Sequence, residues 1–234
     1  MPYLKWDEKI ITDFSEPNVA GMYSRGYLFT RLGKGIMDQT RSARIDLSKF
    51  ELTSENRRIL KKVGDIKPKK VSLPMPPEKY DWKIAKMAKD FYDTKFGPGI
   101  MSAQKIKEMI TDETKSNFNR LLTYSTAVRL QSTEVVPQHV GYAIVYSVAS
   151  FMHYSYPFYD LNASPKDIGL GMMIMAIQHA KDVGKNFFYM GSLQRPSDTY
   201  KLQFHGIEWF DGKKWSGDIE EVKRILASNN INQP

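Results

Sequence analysis

The sequence contains no cysteine among its 234 residues. Disulfides, cysteine-ligated zinc and thiolate nucleophiles are therefore excluded, and a cysteine-free chain fits a reducing, cytoplasmic location. Histidine is scarce: His139, His153, His179 and His205 are scattered without the spacing of a metal site, so no metal is expected. There is no Gly-x-Ser-x-Gly elbow and no P-loop, which argues against a serine hydrolase or a P-loop nucleotide hydrolase. Long uninterrupted apolar runs are missing too. The stretch 135–159 has no Asp, Glu, Lys or Arg, but Pro137, Gln138, His139, His153 and Pro157 fall within it. It reads as two buried strands, about Val140–Val148 and Phe151–Tyr159, and not as a membrane span. Lys5, Asp7, Glu8 and Lys9 break any apolar run near Met1, so neither a secretory leader nor a membrane partner is expected.

What is abundant is positive charge. The formal net charge is +8 and the sequence pI about 9.4, with 41% hydrophobic and 26% charged residues. The length allows one large domain or two small ones around a sizeable core. Much of the excess charge lies between residues 57 and 70, where Arg57, Arg58, Lys61, Lys62, Lys67, Lys69 and Lys70 face one acid, Asp65. Arg58, Lys61 and Lys62 follow at i, i+3 and i+4 and so share a helix face. Such a face contacts a phosphate backbone or is simply solvated.

The chain is organised around residues 156–204. Tyr156–Tyr159 is extended and aromatic, Asp160–Asp167 is rich in turn formers, and Leu170–Val183 carries a broad apolar helical face. Gly184 stands where a helix C-cap glycine belongs, and Asn186–Met190 returns as a strand. A strand–helix–strand unit of this length predicts a crossover between parallel neighbours. Upstream, residues 1–20 read as irregular and Met22–Arg31 as a strand or hairpin arm. Ser42–Leu47 alternates like a strand, and Thr53 or Ser54 caps a helix that ends at Gly64. Pro68–Pro77 reads as an extended linker. Tyr80–Phe96 and Ser102–Ile110 read as helices, the first with Trp82, Ala85, Met87, Ala88, Phe91 and Tyr92 on its apolar face. Asn119–Leu130 and Val140–Val148 are expected to pair antiparallel through a turn near Ser132–Pro137. Asp211-Gly212 marks a hairpin between Ile207–Phe210 and Lys214–Trp215, and Ile219–Ala227 reads as a closing helix. The expected fold class is α+β (mixed α/β), with an N-terminal region 1–118 bearing the basic helix and a core 119–234.

Several residues of the crossover have chemical potential. Lys166, Gly169 and Gly171 sit at the mouth of the helix, where open amides and the helix dipole favour an anion; tight packing is the competing explanation for the glycines. Asp160 ends a strand at the crossover mouth, where ligands of open sheets bind, or caps the loop there. Tyr189, Gly191, Tyr200 and Lys201 flank the exit of the returning strand. A tyrosine there can donate to a leaving oxygen and Lys201 can pair with a phosphate, while core packing accounts equally for the tyrosines.

Two resemblances gather these residues. The loop Lys166-Asp167-Ile168-Gly169-Leu170-Gly171 resembles the acyl-CoA pyrophosphate loop of the GCN5-related N-acetyltransferase (GNAT) superfamily, with Lys166 in the Gln/Arg place. The run Arg44-Ile45-Asp46-Leu47-Ser48-Lys49-Phe50-Glu51-Leu52-Thr53-Ser54-Glu55-Asn56-Arg57-Arg58 resembles the Arg-Ile-x-Val-x-x-Phe-x-x-Ser-x-Ser-Gln-Arg-Arg segment of the arginyl- or leucyl-tRNA–protein transferases. Gly21–Gly26, Asp93–Phe96, Gly99–Met101, Tyr159-Asp160, Leu170, Tyr189–Gly191 and Tyr200-Lys201 resemble further segments of that N-end rule family, in patches from about residue 20 to 205.

The second resemblance implies a GNAT-like acyltransferase sheet and an enzyme that moves an amino acid from aminoacyl-tRNA to the N-terminal amine of a protein or peptide. It implies Asp160, Tyr189 and Tyr200 as catalytic and Arg25, Arg44, Tyr159, Gly191 and Lys201 as substrate-binding. Arg57, Arg58, Lys61, Lys62, Lys166, Gly169 and Gly171 would meet tRNA or phosphate. No permanently bound cofactor is implied: aminoacyl-tRNA is the donor, with acetyl-CoA the donor in the alternative reading and a non-catalytic RNA-binding domain a third. The family's N-terminal cysteine cluster has no counterpart here.

Overall fold

The computed structural model describes residues 3–129, 135–163 and 166–228. In chain order the elements are β1 (Asp7–Ile10), α1 (Glu16–Ser24), β2 (Tyr27–Phe29), β3 (Ile36–Gln39), β4 (Ser42–Asp46), α2 (Ser54–Val63) and β5 (Lys67–Ser72). They continue with α3 (Trp82–Phe96), α4 (Ala103–Thr111), β6 (Arg120–Arg129), β7 (Val135–Ser147), β8 (Phe151–Tyr159), α5 (Ile168–Asp182) and β9 (Phe187–Ser192). A 3-10 segment Pro196–Gln203 precedes β10 (Ile207–Phe210), β11 (Trp215–Ser216) and α6 (Ile219–Ser228). The expected mixed α/β class and the crossover β8–α5–β9 are both present. β8 and β9 pair in parallel from Phe151 opposite Phe187 to His153 opposite Tyr189.

The chain forms two compact units, one of residues 1–53, 148–153 and 180–234, the other of 54–147 and 154–179. In the first unit β1, β3 and β2 make a small antiparallel sheet, and β11, β10, β4, β9 and the start of β8 lie side by side in that order. Alternation in β4 buries Ala43 and Ile45, and Leu47 just beyond it is buried as well; Val19, Met37, Phe188, Trp209 and Val222 are further buried residues of this unit. Burying a side chain of this size contributes about 1.5–3 kcal/mol. The Glu16 carboxylate accepts from the Ser150 amide and hydroxyl, both at 2.7 Å, fixing the start of α1 to the turn before β8.

In the second unit the rest of β8, β7, β6 and β5 are neighbours in that order. Tyr124, Ile144, Phe158, Met172, Ile174 and Ile177 fill the core between these strands and α5. Helix α3 starts at Asp81, whose side chain accepts from the Lys83 amide, and α4 at Ser102, whose hydroxyl accepts from the Lys105 amide. Gly64 and Gly184 adopt positive φ after their helices, as C-cap glycines do.

Four expectations are corrected. Residues 16–24 form a helix, not an irregular lead-in to a strand, because Pro17 occupies the first turn, where no amide partner is lost. Only Tyr27–Phe29 of the expected arm is strand. Pro68–Ser72, read as the start of a linker, belongs to strand β5, which pairs with β6 from Lys67 opposite Ser125 to Ser72 opposite Arg120 and stands last in the strand order of the described residues. An edge strand tolerates Pro68 because one side of it needs no donor. On α3, Trp82 is 63% exposed, and Ile84 and Ala85 take the buried face with Ala88, Phe91 and Tyr92. Of the turn expected near Ser132–Pro137, residues up to 134 lie outside the described residues, while Val135–Pro137 belong to β7. Ser164 and Pro165 of the crossover loop also lie outside them.

Candidate functional site

In the second unit a cavity of about 470 Å³ opens at the end of β8, with Lys83, Lys86, Asp90, Phe91, Tyr159 and Asp160 among its lining. Tyr159 leads into it from β8 and packs at a tilt against Phe91, with ring centroids 4.8 Å apart. Asp160 shapes the turn beyond the strand: its Oδ1 accepts from the Asn162 amide at 2.9 Å and its own amide donates to the Val140 carbonyl. The capping role foreseen for Asp160 is thus present, on a residue that also lines the cavity. Lys86 pairs with Asp90 at 2.5 Å.

Both glycines of the helix mouth are packed. A Cβ on Gly169 would stand 2.5 Å from the Tyr159 ring, and one on Gly171 would stand 2.8 Å from Val63 of α2. The position ahead of the helix is held by Asp167, whose carboxylate bonds Lys62 at 2.5 Å; that bond keeps its carboxyl below the usual range. Lys166 is exposed beside it. The basic residues of this unit are exposed: Arg57, Arg58, Lys61 and Lys62 on α2 and Lys69 and Lys70 on β5. Arg58 is bound by Glu55 through two bonds of 2.7 and 2.6 Å.

The first unit holds the remaining candidates. Arg44 lies between two rings, its guanidinium carbon 4.1 Å from the centroids of both Phe187 and Trp215. Its Nε and Nη2 each meet Glu208 Oε2 at 2.8 Å, and Nη1 approaches the Tyr189 hydroxyl at 3.5 Å. Its donors and both ring faces are therefore engaged within the unit. Tyr189 is buried against Tyr23, Phe151 and Trp215. Burial raises the pKa of its phenol, with the charge of Arg44 opposing, so it stays a neutral hydrogen-bonding group.

Lys201 is buried. Its ammonium donates to the Ser192 carbonyl at 2.8 Å and lies 3.4 Å from Asp198, which itself accepts from the Gln194 and Arg195 amides. Tyr200 beside it is 45% exposed. Arg25 caps the end of α1, bonding the Gly21 carbonyl at 3.2 Å, and lines a smaller cavity of about 220 Å³ with Met22 and Tyr27. Gly191 has φ +78 and open space where a side chain would be. Ser42 faces Ser192 and Arg44 faces Tyr189, so Met190 and Gly191 together oppose Ala43 in a β-bulge of β9. The structure thus brings Arg44 to Tyr189 and sets Gly191 two positions from the same tyrosine, all in the first unit. Tyr159, Asp160, Gly169 and Gly171 cluster in the second.

Sequence reasoning missed two buried groups. His153 Nδ1 lies 2.9 Å from the Tyr23 hydroxyl, and burial, reinforced by the charge of Lys201, lowers its pKa to about 3. Arg41, just before β4, buries Nε and Nη1 without an acceptor among the described residues, and burial lowers its pKa. Its signal was present: Arg41 precedes Ala43, Ile45 and Leu47 in steps of two, a cation continuing an apolar face. Among the described residues no group of three or more His, Asp or Glu is placed to hold a metal ion, and no helix is long and apolar enough to cross a membrane.

No family model matches the chain. It is a distant relative of an aspartate/glutamate leucyltransferase of Dinoroseobacter shibae. The two are 24% identical over 203 residues, which is 81% of this chain and 67% of the relative. Among solved structures, the chain is similar to L-PGS from Bacillus licheniformis (TM-score 0.43, 14% identity, 94% of this chain and 71% of that one). It is also similar to FemX (TM-score 0.46, 9% identity, 77% and 60%). These structural scores are too low to carry weight beyond a general likeness.

Proposed function

We propose that the protein is an aminoacyl-tRNA-dependent aminoacyltransferase that moves an amino acid to the N-terminal amine of a protein or peptide. The observation that carries this reading is the 24% identity to a leucyltransferase over 81% of the chain. The ester of an aminoacyl-tRNA is already activated, so the enzyme needs to position the amine, accept its proton and polarise the carbonyl. In this reading Asp160, at the cavity of the second unit, takes the proton. Tyr159 lines the acyl pocket. In the first unit Arg44 holds Tyr189 in place.

The exposed Arg57, Arg58, Lys61 and Lys62 contact tRNA phosphates, and Lys166 extends that surface. Gly169 and Gly171 act by letting α5 approach Tyr159 and Val63 closely. The acetyl-CoA alternative is disfavoured because Asp167 places a carboxylate ahead of α5, where a pyrophosphate would sit.

The reading is tested by tRNA binding across a salt series for wild type and the double variant Arg57→Glu, Arg58→Glu. Each lost phosphate contact lowers the slope of log K against log salt by about 0.9. Weaker binding with a shallower slope is expected. Superimposable curves would remove tRNA from these two positions.

A further inference from the structure

We infer that the outer edge of β1 is a self-association surface, on which a second copy of this chain lays its own β1 antiparallel, independently of the transfer reaction proposed above. Strand β1 ends the small sheet of order β1, β3, β2, so one of its sides is unpaired among the described residues. The phase of the hydrogen bonds decides what that side offers. Ile11 donates to the Gly35 carbonyl at 3.0 Å, and on the other side of β3 Thr30 donates to the Ile36 carbonyl at 3.0 Å. Ile36 and Asp38 thus turn toward β2, while Gly35, Met37 and Gln39 turn toward Ile11, Lys9 and Asp7. The backbone groups of Glu8 and Ile10 therefore point outward.

The strand is complementary to itself. In an antiparallel pair centred on Glu8, the two Glu8 residues exchange backbone hydrogen bonds, Asp7 of each copy stands opposite Lys9 of the other, and Trp6 of each stands opposite Ile10. The side chains suit this register. Ile10 is the most exposed large apolar side chain among the described residues, at 68%, and Trp6 is 40% exposed. Asp7 and Lys9 are both solvent-accessible, their ion pair within one chain being 3.2 Å long. The two Glu8 carboxylates that meet across the axis each carry their own Lys5 at 2.7 Å. Within one chain the Glu8 amide is a donor to the neighbouring Asp7 carboxylate. In the pair that amide turns to the opposing Glu8 carbonyl, and Asp7 gains Lys9 of the second copy in exchange.

The charges select the occupant. A lysine on a short edge strand ordinarily keeps other chains away. Against a copy of the same strand, the antiparallel register turns Asp7 and Lys9 into opposite-sign pairs, an arrangement an arbitrary extended segment does not reproduce. A ribbon this short is small beside the about 1,200–2,000 Å² of a stable interface, so the dimer is weak and depends on concentration.

The test is sedimentation velocity of the full chain from about 10 μM to about 1 mM, as wild type, Lys9→Glu, Asp7→Lys and Ile10→Pro. Wild type should pass from monomer toward dimer over this range. Lys9→Glu sets acids opposite each other and Asp7→Lys sets lysines opposite each other, so each alone should dimerise about tenfold more weakly or worse. An equimolar mixture of those two variants restores every opposite-sign pair and should dimerise as wild type does. Ile10→Pro removes an outward N–H that β3 does not use and should weaken the dimer to a similar degree. Asp7→Lys also loses the bond from the Tyr27 hydroxyl; if it does not fold, Lys9→Glu and Ile10→Pro decide. The inference is overturned if wild type stays monomeric throughout, which would leave this edge to a different chain. It is equally overturned if Lys9→Glu or Ile10→Pro dimerises like wild type, or if the mixture of folded variants does not recover.

Discussion

His153 makes stability depend on pH in a window that can be worked out in advance. The imidazole is buried beside Tyr23, and its pKa falls from 6.5 to about 3 in the folded protein. Between those values the unfolded chain binds a proton that the folded chain refuses. Stability therefore rises with pH through this window, is complete above about 6.5, and is lost as pH falls toward 3. At about 1.36 kcal/mol per pH unit, the loss between pH 6.5 and pH 4 is about 3 kcal/mol. Acidic groups held below their usual range, such as Glu16 and Asp167, also lose stability on acidification, so wild type alone does not isolate the histidine. His153→Gln keeps a hydrogen-bonding side chain for Tyr23 and removes the titration. Guanidinium denaturation of both proteins at pH 7, 6, 5 and 4 gives the comparison. The gap between wild type and variant should shift by about 3 kcal/mol in disfavour of wild type over that range. Parallel curves would refute the claim that His153 is held neutral by burial.

Other expectations follow from packing. Arg44→Lys keeps the charge but loses the fork to Glu208 and the stacking between Phe187 and Trp215; it should cost about 1–3 kcal/mol by chemical denaturation. A cost below a few tenths would mean the two rings and Glu208 do not recognise the guanidinium. Gly26→Ala meets a positive φ of +81 and a Phe210 ring atom 2.2 Å from the new Cβ. It should lose about 2–4 kcal/mol, and a stable variant would require Phe210 to be displaceable. Gly169→Ala gains helix propensity but drives its methyl into Tyr159; a net loss of about 1–3 kcal/mol is expected, and a net gain would show that the ring steps aside at little cost.

The crossover was legible because each local signal in it agrees: strand, turn, apolar helix, Gly184 and returning strand all favour one geometry. The hairpin at Asp211-Gly212 was legible for the same reason. Two elements were hidden by proline. Pro17 and Pro68 both read as breakers, yet one sits in a helical first turn and the other on a sheet edge, the two settings where a missing N–H is harmless. A single sequence does not reveal which strand will be at an edge. The glycines of the helix mouth illustrate a different obstacle. Their spacing suits both an anion loop and close packing, and only coordinates reveal Tyr159 and Val63 beside them. The environment of Arg44 was hidden because Glu208 and Trp215 are more than 160 residues away in sequence, and no local pattern encodes that contact.

The most direct measurement of the central claim is transfer of label. Mixed radiolabelled aminoacyl-tRNAs are incubated with the protein and acceptor peptides whose N-terminal residue is varied, beside labelled acetyl-CoA with the same peptides. The account predicts that label moves from aminoacyl-tRNA to a peptide N-terminus and that Asp160→Ala reduces the rate at least a hundredfold, a typical contribution of acid–base catalysis being about 10²–10⁴. Label moving only from acetyl-CoA, or from neither donor, would contradict it.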